Sequence, residues 1–189
     1  MIEVIGKNIF RFDPFLPDWL HKSVVEDVLL SSFKWEFPHV GYTSKGDFSD
    51  VCFGANFDPN DKQTWSRAPG VMQGLRCWED TVKDHFEIFN IKRARMNLYI
   101  NGQVTGEHRD HEEPGEYWSL IYYITDTDTG GTDIDNVAVK DKANTAVMFP
   151  SHYYHAPLPA STNNTVRCNV NYMFEATIDG TEEYTGFYE

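Results

Sequence analysis

The chain has 189 residues, 41% hydrophobic and 24% charged, a length that suits one well-buried domain better than two. Its formal net charge of -13 disfavours nucleic acid as a partner, because binding to a phosphate backbone normally needs a basic surface. Three well-separated cysteines match neither a disulfide framework nor a CxxC zinc site, and no apolar stretch is long enough to span a membrane. We therefore expect a soluble, intracellular protein of the cytoplasm.

The first half of the chain predicts helices and loops. From residue 14, apolar residues recur at spacings of three and four, which predicts an amphipathic helix entered through Pro17 and Asp18. Residues 38–70 are rich in Gly, Pro, Asp and Asn, a composition typical of a lid or binding loop, a decorated hairpin or a disordered segment. The stretch VMQGLRCWEDTVKDHFEIF predicts a second helix that ends near Asn90. The apolar face of the first helix comprises Leu16, Trp19, Leu20, Val24, Val28 and Leu29.

From residue 91 onward the sequence predicts short strands. Alternating, aromatic-rich segments such as YWSLIYYIT and TVRCNVNYMFEA are separated by Asn-Gly and Gly-Gly turn signals. Strands of this length with regular turns indicate a jelly roll or a barrel. The predicted fold class is therefore α+β but mainly β, and any chemistry is expected inside the β structure.

The segment GEHRDHEEPG, residues 106–115, contains a candidate metal site. His108 and Asp110 lie two positions apart, so their side chains point to the same face of an extended strand. A non-haem Fe(II) oxygenase needs two imidazoles and one carboxylate on one side of the ion, which leaves the other positions for a cosubstrate and dioxygen. The second imidazole would come from FPSHYYHAPLP, which contains His152 and His155. An H-x-D pair also occurs by chance, so a solvated acidic turn is the alternative.

These motifs, taken in order, resemble the core of the 2-oxoglutarate- and Fe(II)-dependent dioxygenases, as in their prolyl-hydroxylase-like branch. The resemblance rests on HRD, the Gly130-Gly131 pair, FPSHYYHAPLP and RCNVNYMF. It implies a double-stranded β-helix, which is a jelly roll, over residues 91–176. Residues 1–90 would then supply helical and loop support, with a lid as one role for residues 38–70, and residues 177–189 would form a C-terminal tail.

The same resemblance implies the ligands of the iron and of its cosubstrate. His108, Asp110 and His155 match the metal ligands, with His152 as the alternative to His155. Arg167 matches the arginine that binds the distal carboxylate of 2-oxoglutarate in the family. The segments NLYING and RCN are similar to the N-x-Y and R-x-N motifs of the AlkB-type branch. They imply that the cosubstrate is also contacted by Tyr99, Asn97 and Asn169.

Two further residues bear on the function that these motifs imply. Met173 stands where the AlkB-type branch has a second arginine, which argues against nucleobase repair. An arginine inside a barrel is costly without an anionic partner, so an inward Arg167 in so acidic a protein indicates an acid from solution. The alternative is that Arg167 pairs with a protein carboxylate such as Glu175 or lies on an exposed face.

The resemblance implies an enzyme that couples hydroxylation of a C–H bond to oxidative decarboxylation of 2-oxoglutarate to succinate and CO2. Its cofactors would be Fe(II), 2-oxoglutarate and dioxygen, with ascorbate left open, and its partner a peptide, protein or small-molecule substrate. Two other classes stay open: a cupin-like metalloenzyme of different chemistry, and a non-catalytic jelly-roll module for binding or structure. Arg167 separates the oxoglutarate enzyme from the cupin-like one, because only an oxoglutarate enzyme needs a cation there.

Overall fold

The structure, a computed structural model, describes residues 1–30, 35–39, 52–57, 69–100, 106–160 and 166–178. The helices are α1 (Asp18–Val25), which continues into a π-helical segment over Glu26–Leu30, and α2 (Pro69–Val82). No helix in the described ranges is long and apolar enough to cross a membrane. In chain order, the strands are β1 (Ile2–Gly6), β2 (Ile9–Phe12), β3 (Glu36–His39), β4 (Cys52–Phe57), β5 (Phe86–Ile100), β6 (Tyr117–Tyr123), β7 (Gly131–Ile134), β8 (Val137–Lys140), β9 (Thr145–Pro150), β10 (His155–Leu158) and β11 (Val166–Ile178).

The strands form two antiparallel sheets. The larger sheet has eight strands in the order β1-β2-β9-β6-β11-β5-β4-β3, and the smaller has three in the order β10-β7-β8. Connections that skip between neighbouring strands, such as β9 beside β2 and β11 between β5 and β6, are those of a jelly roll. The prediction of a mainly β jelly roll with helices packed on it is confirmed.

Two hydrophobic clusters cover the two faces of the larger sheet, because successive side chains of a strand point to opposite faces. One face packs against α1 and α2, where Leu20 and Trp78 are each 1% exposed. Burying a side chain of this size contributes roughly 1.5–3 kcal/mol, so this layer holds the helices in place. The other face packs against the smaller sheet through residues such as Ile121, Ile134 and Phe149. The space between the two sheets is where the predicted site residues lie.

The second helix is shorter in the structure than the sequence predicts, and the first has an exposed residue on its predicted apolar face. Trp19, assigned to the apolar face of the first helix, is 63% exposed. The second helix ends at Val82, and β5 begins at Phe86, so the prediction of a helix to Asn90 is wrong. Phe86 is buried while Glu87 is exposed, and this two-residue alternation belongs to a strand paired with β11.

Four strands lie within residues 1–90, where the sequence predicted helices and loops. β2 pairs with β9, and β4 pairs with β5, so this half of the chain extends the larger sheet on both sides. Each of these strands has only four to six residues, and apolar runs this short are ambiguous in a single sequence. Apart from β3, β4 and the start of α2, the predicted lid region lies outside the described residues, as do residues 179–189 of the predicted tail.

Candidate metal centre

His108, Asp110 and His155 come together between the two sheets. His108 and His155 exchange both backbone hydrogen bonds, with N···O distances of 3.0 and 2.9 Å, which places their rings 4.3 Å apart. The backbone N–H of Asp110 donates to Ser151 O at 3.1 Å, which fixes the carboxylate beside the two rings. One potential ligand atom from each of the three side chains lies within 4.8 Å of the other two. No other such group of His, Cys, Asp or Glu occurs among the residues that the structure describes.

Both histidines present Nε2 to the centre of this group. Nδ1 of His108 lies 2.9 Å from Gly106 O, and Nδ1 of His155 lies 3.2 Å from Tyr153 O. Because a carbonyl oxygen can only accept, each Nδ1 carries the proton and each Nε2 keeps its lone pair. A metal-ligating histidine has this arrangement, in which the hydrogen bond of one ring nitrogen orients the other.

The Asp110 carboxylate is held by side chains from three strands. Ser119 Oγ in β6 donates to Oδ2 at 2.7 Å, and Asn171 Nδ2 in β11 donates to the same oxygen at 3.1 Å. Arg93 Nη2 in β5 pairs with Oδ1. Burial alone would raise the pKa of Asp110, but the nearby His155, Arg93 and His108 and the Ser119 hydrogen bond hold the pKa below its ordinary value. The carboxyl group is therefore ionised at neutral pH.

His155 is neutral in the same environment. Burial lowers the pKa of His155 to about 4, against the opposing attraction of the Asp110 carboxylate, whose Oδ2 lies 3.7 Å from Nε2. The Phe149 ring packs edge-on against the His155 ring, with the two ring centroids 4.9 Å apart. An ionised carboxylate beside a neutral imidazole is the protonation state that a metal ligand needs.

Arg167 points inward but already has a protein partner. Its Nε donates to Asp141 Oδ2 at 2.6 Å, and its Nη2 donates to Asp141 Oδ1 at 3.2 Å. Burial of Arg167 therefore does not by itself indicate an acid from solution, because Asp141 neutralises its charge. Glu175, the protein carboxylate suggested by the sequence, instead pairs with Lys92 at 2.9 Å.

The other predicted cosubstrate residues share a face with Arg167. β11 pairs with β5 in a register that sets Arg167 opposite Tyr99 and Asn169 opposite Asn97. The Tyr99 ring centroid lies 5.0 Å from Cζ of Arg167, and Asn97 Nδ2 donates to Asn169 Oδ1 at 3.1 Å. All four side chains are at least nine-tenths buried. The structure therefore brings these four residues into one polar patch in the interior.

The other histidines of the two motifs lie outside the group. His111 stacks on Tyr117 with ring centroids 4.1 Å apart, and it contacts the backbone of Glu113. His152 packs against Tyr153 rather than against Asp110. Arg109, which stands between the two candidate ligands in the sequence, has its Cζ 3.9 Å from the centroid of the Tyr154 ring.

Four residues of this region were not predicted from the sequence: Arg93, Ser119, Asp141 and Asn171. Strand parity could have found two of them, because Arg93 and Asn171 lie an even number of positions from Tyr99 and Arg167 on the same strands. Ser119 is the one small polar residue of the aromatic segment YWSLIYY, and it therefore indicates a polar contact on its face of the strand. Asp141 follows β8 in a charged segment and carries no local signal of burial.

No family model and no curated protein matches this sequence, but solved structures match its fold. The viral collagen prolyl hydroxylase vCPH of Paramecium Bursaria Chlorella virus-1 aligns with a TM-score of 0.60 at 17% identity, over 92% of this chain and 99% of that chain. A Trichoplax adhaerens prolyl hydroxylase, solved with a peptide of a hypoxia inducible factor, aligns with a TM-score of 0.64 at 12% identity, over 90% and 84%. SnoK, a non-heme alpha ketoglutarate dependent carbocyclase from nogalamycin biosynthesis, aligns with a TM-score of 0.63 at 13% identity, over 91% and 82%.

These likenesses show the fold. The chain has the jelly-roll fold of the 2-oxoglutarate- and Fe(II)-dependent oxygenases, over nine-tenths or more of its length in each alignment. The resemblance inferred from the motifs is confirmed at this level.

Proposed function

We propose that this protein is an Fe(II)- and 2-oxoglutarate-dependent oxygenase that hydroxylates a C–H bond of a peptide side chain or of a small molecule. The observation that carries the proposal is the convergence of His108, Asp110 and His155 inside a jelly roll. Two imidazoles and one carboxylate are the donor set that suits non-haem Fe(II) and leaves positions open for other ligands. The protonation states and the ring orientations support the same assignment.

In this proposal, Nε2 of His108, Nε2 of His155 and the Asp110 carboxylate hold the iron. With dioxygen and 2-oxoglutarate, bound iron supplies the oxidation of a C–H bond, while the oxoacid leaves as succinate and CO2. The chain orients the ligands, because Ser119 and Asn171 hold the carboxylate through hydrogen bonds to Oδ2. It also keeps bulk water away, since Asp110 and His155 side chains are each only 3% exposed.

The polar patch of Arg167, Tyr99, Asn97 and Asn169 would bind the oxoacid. It lies on the same pair of strands that carries Arg93 and Asn171, the two residues touching Asp110. An elongated dianion could therefore reach from the patch to the metal between the sheets. Asp141 occupies one edge of Arg167, so the distal carboxylate would meet the remaining N–H groups of the guanidinium.

For the substrate we propose two chemical classes, a peptide side chain and a small molecule. Of the structural neighbours, the Trichoplax enzyme was solved with a peptide fragment, and SnoK is described as a carbocyclase of nogalamycin biosynthesis. Four exposed glutamates near the first motif favour a substrate with basic groups at the mouth: Glu107, Glu112, Glu113 and Glu116.

A second function is favoured by one observation, the ion pair of Arg167 with Asp141. A cupin-like metalloenzyme of other chemistry would use His108, Asp110 and His155 with a different ion and no oxoacid. Arg167 would then be a structural partner of Asp141, and the polar patch would be part of the interior. Binding of 2-oxoglutarate separates the two functions.

The test is anaerobic addition of Fe(II) and then 2-oxoglutarate to purified protein, read as a metal-to-ligand charge-transfer band. We expect the band in the wild type and its loss in His108→Ala and His155→Ala. The matched controls, His111→Ala and His152→Ala, should keep it, because these rings lie outside the group. In air with ascorbate, the wild type should also convert 2-oxoglutarate to succinate, and Arg167→Ala should not.

Two results would contradict the proposal. A wild type that binds Fe(II) but shows no band with 2-oxoglutarate favours the cupin-like alternative. Equal loss of the band in His152→Ala and His155→Ala would refute the assignment of the second histidine. The band does not depend on the prime substrate, so slow uncoupled turnover does not affect this test.

A further inference from the structure

Asp141 and Arg167 form an ion pair in the interior of the jelly roll. The Asp141 side chain has no exposed surface, and that of Arg167 is 4% exposed. Two contacts join them, from Nε to Oδ2 at 2.6 Å and from Nη2 to Oδ1 at 3.2 Å. A carboxylate that accepts hydrogen bonds from two nitrogens of a guanidinium fixes the plane of that group as well as its position.

The surroundings of Asp141 are built around this pair. Its backbone N–H donates to Gly130 O at 3.1 Å, and Thr127 Oγ1 donates to Oδ2 at 3.1 Å. A Cβ at position 130 would lie 2.8 Å from Oδ2, so only glycine lets the backbone come this close. Gly131 O accepts a further hydrogen bond from Arg167 Nη2 at 2.8 Å. The Gly130-Gly131 motif thus supports the ion pair directly.

These contacts leave one part of the guanidinium for a ligand. Of its five N–H groups, the one on Nε and the two on Nη2 are engaged by Asp141, Gly131 and Thr132. Nη1 has no hydrogen-bond partner among the described residues. A carboxylate from solution would therefore bind at the Nη1 end of Arg167.

We propose that Asp141 is a positioning residue for the oxoacid, because it holds the Nε and Nη2 edge of Arg167 and aims Nη1 at the distal carboxylate. The inference rests on the proposed function, since it needs an oxoacid in the site. Its physical basis is preorganisation: a long, flexible side chain that is already fixed loses less freedom when the ligand binds. Asp141 itself would not touch the oxoacid.

Asp141→Asn tests the proposal, because asparagine keeps the size but replaces one acceptor oxygen with an N–H donor. Arg167 then keeps one of its two contacts with residue 141 and those with Gly131 and Thr132, so its plane is less firmly fixed. On Fe(II)-loaded protein without oxygen, we expect the Kd of 2-oxoglutarate to rise at least tenfold. The Kd of Fe(II), measured alone, should stay within twofold, because Asp141 does not touch the candidate ligands.

Matched variants separate positioning from a general loss of structure. Glu175 lies on the same strand as Arg167 and forms an ion pair with Lys92. Glu175→Gln removes the charge of this carboxylate and should leave the Kd of 2-oxoglutarate unchanged. Thr127→Val removes the hydrogen bond to Oδ2 with little change of size and should raise that Kd about threefold, even where Asp141→Asn fails to fold. Adding Asp141→Asn to Arg167→Met should weaken 2-oxoglutarate binding no further than Arg167→Met alone, since Asp141 acts through Arg167.

The outcomes are distinct. If the wild type binds Fe(II) but does not bind 2-oxoglutarate, both the proposed function and this inference are overturned. A wild type that binds 2-oxoglutarate, with Asp141→Asn or Thr127→Val binding it equally well, overturns the inference alone. A parallel loss of Fe(II) affinity in Asp141→Asn also overturns it, because the residue would then serve the fold rather than the oxoacid.

Discussion

Replacing Ser119 with alanine tests whether the support of the Asp110 carboxylate matters for metal binding. Ser119 is fully buried, and its hydroxyl donates to Asp110 Oδ2 at 2.7 Å. The same hydroxyl lies 2.9 Å from Oγ of Ser151. Alanine removes the hydroxyl and leaves the backbone of β6 unchanged. Asn171 and Arg93 would still contact the carboxylate, but its orientation would be less restricted.

The expected loss can be worked out from these contacts. A hydrogen bond to a charged group contributes about 1.5–3 kcal/mol, and about 1.4 kcal/mol corresponds to a tenfold change in a binding constant. Loss of an outer-shell partner typically costs about ten- to a hundredfold in metal affinity. Because Asn171 still donates to the same oxygen, we expect the lower end, a loss of about tenfold.

The assay is the Kd of Mn(II), measured by competition with a fluorescent chelator at pH 7.5. Ser151→Ala is the matched control, since its hydroxyl contacts Ser119 but not Asp110, and its affinity should stay within twofold of the wild type. A Ser119→Ala protein that binds Mn(II) as tightly as the wild type would refute the reasoning. So would an equal loss in Ser151→Ala, because the effect would then come from packing.

Three further predictions concern stability. A Cβ on Gly131 would lie 2.3 Å from a backbone carbonyl, so Gly131→Ala should lower the free energy of unfolding in urea by about 1–3 kcal/mol. Gly115→Ala, with nothing within 4 Å, should change it by less than about 0.5 kcal/mol, and equal effects would contradict the packing argument. Mn(II) at a hundred times its Kd should raise the Tm by about 5–10 °C in the wild type but not in His155→Ala, read by differential scanning fluorimetry. Burial lowers the pKa of His21, so the folded state favours the neutral form of this side chain over the protonated form. The contribution of neutral His21 to the free energy of unfolding is complete above pH 6.5 and is lost as the pH falls below 6.5. Between pH 7.5 and 5.5, His21→Gln should therefore lose less stability than the wild type.

The spacing of His108 and Asp110, together with the resemblance to a known family, identified most of the side chains in the candidate centre. His108 and Asp110 stand two apart in one segment, and the structure keeps both on the inner side. Arg167 and Asn169 follow the same two-residue alternation on β11. Patterns of this kind survive folding, because the direction of neighbouring side chains depends mainly on the local backbone.

The elements that were not predicted from the sequence depend on pairing with distant strands. β2 is stabilised by β9, whose residues lie more than 130 positions later in the chain. Phe86–Asn90 joins a strand rather than the preceding helix, because β11 offers partners to four of these five residues. Such pairing outweighs local propensity, and a single sequence contains no direct record of it.

The sequence by itself determined the fold class and placed His108 and Asp110 on one face of an extended segment, because strand alternation and turn signals depend on local backbone geometry. Only the tertiary structure decided that His155 rather than His152 lies beside Asp110, and that Arg167 pairs with Asp141 rather than Glu175. These contacts join residues 26 to 45 positions apart through two sheets. The register between strands sets which side chains meet, and that register depends on packing across the whole jelly roll.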